Sequence, residues 1–223
     1  MANLIIKSSA DNLVLQGSDA SPAITVGATG TTTFAENTTF ASGKGMTLTS
    51  SSTFPAGHVL QVKSATKRDV FSSSSVNDAW TAIPDLLIAI TPSSTSSKFL
   101  VQYNANIAMA TGSHSGVATG LYRDGTIITG AKAETLLSNQ EAVTTVSTHY
   151  NHSDANIGND VHSMSFLDSP TIPSTPIAIT YQVYLFNASS NAFVSYVNRT
   201  QSDGTNIYVT RGASTISVME VAG

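Results

Sequence analysis

An all-β fold in two parts is what the sequence predicts. An N-terminal trimeric β-stalk over residues 1–57 precedes a C-terminal antiparallel, jelly-roll-like β-sandwich over residues 58–223. Three observations carry this expectation. Helical periodicity is nearly absent. From residue 59 onward, apolar and polar residues alternate in short runs. The first quarter instead sets isolated large apolar residues into a background of Ser, Thr and Gly.

In that first quarter, the short apolar pairs Leu4/Ile6, Leu13/Leu15 and Ile24/Val26 are separated by turn residues. Next, "TTTFAENTTFASGKGMTLTSSSTF" places Phe34, Phe40 and Met46 six residues apart, with Leu48 and Phe54 behind them. The segment is too short and too sparsely apolar to fold alone. A single strand cannot shield such side chains, whereas three identical strands wound about one axis let each meet its two copies. Burying one of them is worth roughly 1.5–3 kcal/mol. The expected trimer core is therefore Ile24, Val26, Phe34, Phe40, Met46, Leu48 and Phe54. Leu4, Ile6, Leu13 and Leu15 suit strand addition to a partner's sheet edge, which makes residues 1–25 the expected docking segment. "FPAG" (54–57) reads as the boundary.

Beyond it, "VLQVKSATKRDVF", "AWTAIPDLLIAITP" and "KFLVQYNANIAMAT" read as strands, followed by "GVATGLYRDGTIITG", "AVTTVSTHYN" and "VHSMSFLDS". "PIAITYQVYLFN", "AFVSYVNRT", "NIYVTR" and "STISVMEV" complete the series. Asp124-Gly125 predicts a two-residue type I′ hairpin, because that turn needs φ > 0 at both central positions. "SDGTN" (202–206) is a second turn. The Pro-containing stretches 91–97 and 169–176 are connections, since Pro cannot donate to a central ladder. "AKAETLLSNQEA" (131–142) has room for one or two helical turns. Strand parity counted from residue 59 puts loops 72–79, 111–116, 133–142, 169–176 and 201–206 at the end far from residue 58. Eight to ten short strands with regular turns predict a sandwich or jelly roll.

Composition narrows the function. Charged residues are 11% and the net charge is −4, with no basic stripe, so nucleic acid is not an expected partner. Cysteine is absent, which excludes disulfides and thiolate metal sites. No apolar run approaches a membrane span. The first residues lack a signal-peptide pattern, so the expectation is synthesis in a cytoplasm. With 41% apolar residues in alternation, the Ser/Thr richness reads as a hydroxyl-faced surface rather than disorder.

"GHVLQVKSATKRDVFSSSS", "IPDLLIAITPSSTSSKFLVQYN", "SFLDSP" and "YVNRTQSDGTNIYVTRGASTISVMEVAG" together resemble a domain of structural proteins of tailed bacteriophages, marine ones especially. "ASPAITVGATGTTTF" (20–34) is similar to the shaft lead-in of such proteins. The resemblance implies a homotrimeric fibre or spike assembled in a host cytoplasm and exposed on the virion, with a sandwich head on a slender stalk. It implies no catalytic residues. Residues 131–160 lie outside the resemblance and are expected to form this chain's own surface.

Searching for chemistry yields little. His149 and His152 sit three apart, which on a regular strand puts them on opposite faces, and with His162 they read as exposed loop residues rather than metal ligands. Asp124, Asp168 and Asp203 each precede turn residues, and local backbone bonding explains them. Scattered acids do not define the carboxyl pair that glycoside hydrolysis needs. No nucleophile elbow, phosphate loop or calcium loop occurs. Most tyrosines lie in alternating strands, where packing explains them. Trp80 and Tyr150 lie nearer to loops and are the candidate glycan contacts.

The expected function is thus a non-enzymatic virion appendage needing no cofactor and no metal. Its partners are two further copies, other virion proteins through the N-terminus, and host-surface glycan. The alternatives are a decoration or adaptor protein that binds only other virion proteins, and a polysaccharide depolymerase.

Overall fold

The computed structural model describes residues 13–16, 22–26, 32–34, 55–74, 79–109, 115–134, 141–149, 158–188, 194–207 and 209–223. The chain divides into two compact units, Met1–Thr53 and Phe54–Gly223. Expectations for Leu4, Ile6, Phe40, Met46, Leu48, Phe54 and Tyr150 fall outside the described residues.

The first unit contains an antiparallel meander of three short strands, β1 (Leu13–Gln16), β2 (Pro22–Val26) and β3 (Thr32–Phe34). Its register places Leu15, Ile24 and Phe34 side by side in one row, and Leu13 opposite Val26. These apolar positions are therefore neighbours within one chain, an arrangement that the layered reading of single strands did not contain.

The second unit is built from β4 (Val59–Lys67), β5 (Phe71–Ser73), β6 (Trp80–Ile90), β7 (Lys98–Met109), β8 (Ser115–Arg123) and β9 (Thr126–Ile127). A single 3₁₀ turn, Thr129–Ala131, follows β9. Then come β10 (Thr145–His149), β11 (Asp160–Asp168), β12 (Ile179–Ala188), β13 (Ser195–Val197) and β14 (Ser214–Val221). All pairings are antiparallel.

Three of the ribbons are broken strands laid end to end. β14 and β13 occupy successive stretches of the same edge of β7, and β4 and β5 flank them in the same order. β9 and β10 likewise share one edge of β8. Counting each broken ribbon once, sheet I runs β4/β5, β14/β13, β7, β11, and sheet II runs β6, β12, β8, β10/β9. Eight ribbons in two four-stranded sheets, with the chain crossing between sheets at every connection except the β8–β9 hairpin, make a jelly roll. The all-β sandwich expectation therefore holds.

The core explains the alternation. Inward positions of β7 (Phe99, Val101, Tyr103, Ala105, Ile107) meet those of β12 (Tyr181, Val183, Leu185) and β6 (Leu86, Ile88, Ile90), all buried. Asp124 and Gly125 have φ of 49° and 77°, as the hairpin expectation required.

Two local expectations fail. "NIYVTR" is not a strand among its described residues, and Arg211 makes only an isolated bridge to Arg199. The parity count also fails after β8. β9 spans two residues, and the chain resumes the same direction as β10, so loop 169–176 lies at the end where residues 57–58 pair with Ala222. The count treated each run as one full traverse, and a ribbon split around an excursion breaks that rule.

Candidate functional site

Buried Tyr181, Val183 and Leu185 fix the parity of β12, so Gln182, Tyr184 and Phe186 face outward from sheet II. Phe186 pairs with Trp80 and Ala118, and Tyr184 with Ala82 and Gly120. The rings form one group. Trp80 lies 4.9 Å from Phe186 and 5.6 Å, edge-on, from Tyr122. Tyr122 stacks on Tyr184 at 3.8 Å and 18°. Gly120 makes the group possible, because a Cβ there would sit 2.6 Å from Cζ3 of Trp80. The indole therefore lies on bare backbone. Phe186 and Tyr122 are buried, whereas Trp80 and Tyr184 remain half-exposed. Burial, then the neighbouring Tyr184 and Glu141, push the Tyr122 phenol up to about 12, so it is a neutral hydrogen-bonding group.

Beside this shelf, edge strand β6 carries a wide bulge. Leu87 pairs with Gln182 and Ala82 with Tyr184, so Ile83, Pro84, Asp85 and Leu86 stand opposite Val183 alone. Ile83 and Leu86 are fully buried and anchor the bulge. The Gln182 amide donates to the Ile83 carbonyl at 3.1 Å. Asp85 is thereby held exposed at φ 60°, a left-handed conformation that costs a non-glycine residue about 1–3 kcal/mol and is concentrated at functional sites. A partly buried aromatic surface, with an exposed carboxylate on the adjoining bulge, can take a neutral polyhydroxylated ligand. Apolar C–H faces would lie on the rings, and hydroxyl pairs would donate to the carboxylate.

Trp80 is the sequence candidate that the described residues place here. Tyr122, Tyr184 and Asp85 were missed as a group. The signal was Pro84 inside an otherwise apolar strand run, which marks a bulge on an edge strand.

Outward on sheet I lies a second uncharged surface. Val62, Met219, Leu100 and Leu167 form one cross-strand row, and Val62 and Leu167 are more than half exposed. One step up, Ser64, Ser217, Gln102 and Ser165 form a polar row, linked by Ser217 to Ser64 at 3.0 Å and Gln102 to Ser165 at 3.3 Å. Above it run Thr66, Thr215, Asn104 and Ser163. Parts of the two polar rows line a groove of about 460 Å³.

Among the described residues, the buried polar side chains have partners. Asp168 accepts from Arg123 Nη1 at 2.6 and 2.8 Å and from the Tyr181 hydroxyl at 2.7 Å. Its partners are distant in sequence, which corrects the expectation of a local turn role. Glu220 accepts from Ser93 N and Oγ, Ser97 Oγ and Gln61 Nε2, and so ties loop 91–97 to β4 and β14. Burial raises the Glu220 pKa, but these donors outweigh it and leave the carboxyl below its ordinary range. His162 is buried on β11, not exposed in a loop. Its Nε2 meets Ser147 Oγ at 2.6 Å and its Nδ1 meets Thr119 Oγ1 at 3.3 Å. A Ser–His pair invites comparison with acyl-transfer chemistry, but a hydroxyl stands where a carboxylate would orient the imidazole. Among the described residues no group of three His, Asp or Glu side chains is placed to hold a metal ion.

No protein-family model matches the sequence, and no curated protein matches it. Among solved structures the chain is similar to a chain in the structure of infectious bursal disease virus, Gx strain, at 12% identity and a TM-score of 0.36. The likeness covers 80% of this chain and 44% of that one, so this chain spans less than half of its length.

Proposed function

We propose that the chain is a virion structural protein, a homotrimeric fibre or spike whose N-terminal unit trimerises and docks, and whose jelly-roll head meets surface glycan. The observation that carries the head's role is the half-exposed Trp80 and Tyr184 shelf with Asp85 fixed beside it in a left-handed conformation. Support for trimerisation comes from the meander. Three strands of 4, 5 and 3 residues form a small sheet whose register sets the expected core residues Ile24 and Phe34 side by side. Three such units about one axis would bury that pair, together with Val26, Phe40, Met46, Leu48 and Phe54. Leu4, Ile6, Leu13 and Leu15 would serve the virion attachment. The resemblance to phage structural proteins points the same way.

Light scattering on the full chain tests the trimer, with a threefold mass expected and a monomeric mass overturning it. Glycan-array and whole-cell binding test the head. Binding that is lost in Trp80→Ala and weakened in Asp85→Ala supports the shelf. Saturable attachment to virus particles with no glycan or cell binding replaces it with an adaptor role.

A further inference from the structure

The outward face of sheet I has no part in the glycan shelf, and its chemistry is of a different kind. Across three consecutive rows and four strands it carries no charged side chain. Charges flank these rows: Lys98 lies at the lower margin opposite Val221, and exposed Arg68 follows β4 two residues past Thr66. Protein interfaces are depleted of charge at their centre, whereas a free surface on a small domain is usually studded with it. The apolar row Val62, Met219, Leu100, Leu167 crosses the full width of the sheet, so it is a band rather than scattered exposure. We infer that this face is where the heads of three copies of the chain meet, each apolar row forming one side of a closed triangular layer.

Geometry supports a threefold arrangement. Four strands about 4.8 Å apart make a face about 19 Å wide. With the edge strands of neighbouring heads kept one strand gap apart, three such faces form a triangle of side about 24 Å, and each lies about 7 Å from the axis. That is somewhat more than half of the roughly 10 Å at which two sheets pack face to face, and within reach of Leu and Met side chains. The Leu100 and Met219 side chains then fill the middle, and the Val62 edge of one head meets the Leu167 edge of the next. Above this layer the Gln102 and Asn104 amides face an axis lined with hydroxyls, which suits hydrogen bonding across copies without burying a charge. Position along the chain agrees. Val62 lies on β4, the first strand of the second unit, so any device that gathers the preceding residues of three chains gathers this strand as well.

The face spans about 24 Å along the strands, or roughly 450 Å² in plan per head, below the ~800 Å² per partner of a standard stable interface. The heads would therefore join only when held at high effective concentration by the N-terminal unit. The inference rests on the trimeric reading above, and its test separates the two.

The chain contains no cysteine, so introduced thiols report without background. Val62 and Leu167 stand on opposite edges of the sheet, about 14 Å apart across three strand gaps, beyond disulfide reach within one chain. The full chain carrying Val62→Cys and Leu167→Cys should give covalent trimers on mild oxidation, whereas in each single variant the like thiols stand too far apart around the axis to pair and the chains stay uncrosslinked. A threefold mass by light scattering without covalent species overturns this face and leaves the trimer standing. A monomeric mass overturns both. A covalent dimer in a dimeric chain overturns threefold closure. Ser64→Cys with Ser165→Cys, one row up, carries the same test should the first pair fail to fold.

Discussion

Ser147 Oγ and His162 Nε2 stand 2.6 Å apart and join β10 of one sheet to β11 of the other at the open flank of the sandwich. Thr119 occupies the other ring nitrogen and continues to Tyr103 and Thr145, so hydroxyls and one imidazole seal this flank. Burial lowers the His162 pKa to about 4, partly offset by the nearby Asp160 carboxylate.

Acid should therefore weaken the head in a defined window. The unfolded chain protonates His162 near pH 6.5, and the folded one only near pH 4. Between these values the unfolded state binds more protons, so stability falls as pH falls, by about 3 kcal/mol at most. Urea melts at pH 7 and pH 4.5 measure this. His162→Gln should flatten the slope, although Glu220, held below the ordinary carboxylate range, adds a further loss at lower pH.

Asp168 bonds Arg123 and Tyr181 from within the core. Asp168→Ala should cost about 3 kcal/mol, because it strands the buried Tyr181 hydroxyl and removes the partner of a partly buried guanidinium. Tyr181→Phe should cost about 1 kcal/mol, since it removes one hydrogen bond and keeps the packing. The difference between the two urea midpoints checks the assignment.

Asn198 closes the junction between β13 and β14. It sits at φ 65°, its amide donates to the Lys67 and Asp69 carbonyls, and it accepts from Ser214 Oγ. Asn198→Gly loses these bonds but keeps the conformation. Asn198→Ala loses both and should be less stable than the glycine variant by about 1 kcal/mol.

Gly120→Ala should lift the indole of Trp80 off the sheet. Trp80 is the chain's one tryptophan, so its emission reports the shelf alone. A red shift is expected, with loss of any glycan binding that Trp80→Ala also abolishes. Unchanged emission would mean that the ring accommodates a methyl group in place.

Much of the head was legible because one-sided burial imposes period two. Each β7 residue that alternation turned inward, from Phe99 to Ile107, is buried. Asp124-Gly125 announced its turn because few residue pairs tolerate that backbone. The interrupted ribbons were not legible, since β13 and β14 are joined through Asn198 and Asn106, which bond across about a hundred residues. The shelf was half visible for the same reason. Trp80 stood out alone, whereas Tyr122, Tyr184 and Gly120 join it only through the β8–β12 register. Asp168 looked like a turn residue because its partners lie far along the chain.

On either side of one interruption the ladder is already shut. Ile128 N reaches Leu121 O, and two positions along the same edge Thr144 N reaches Thr119 O. Whatever sequence occupies the interval leaves and rejoins β8 at fixed anchor points. Lineages could lengthen, shorten or exchange that interval while the sandwich keeps its form, and an engineer could graft a peptide there with the hinge points already set.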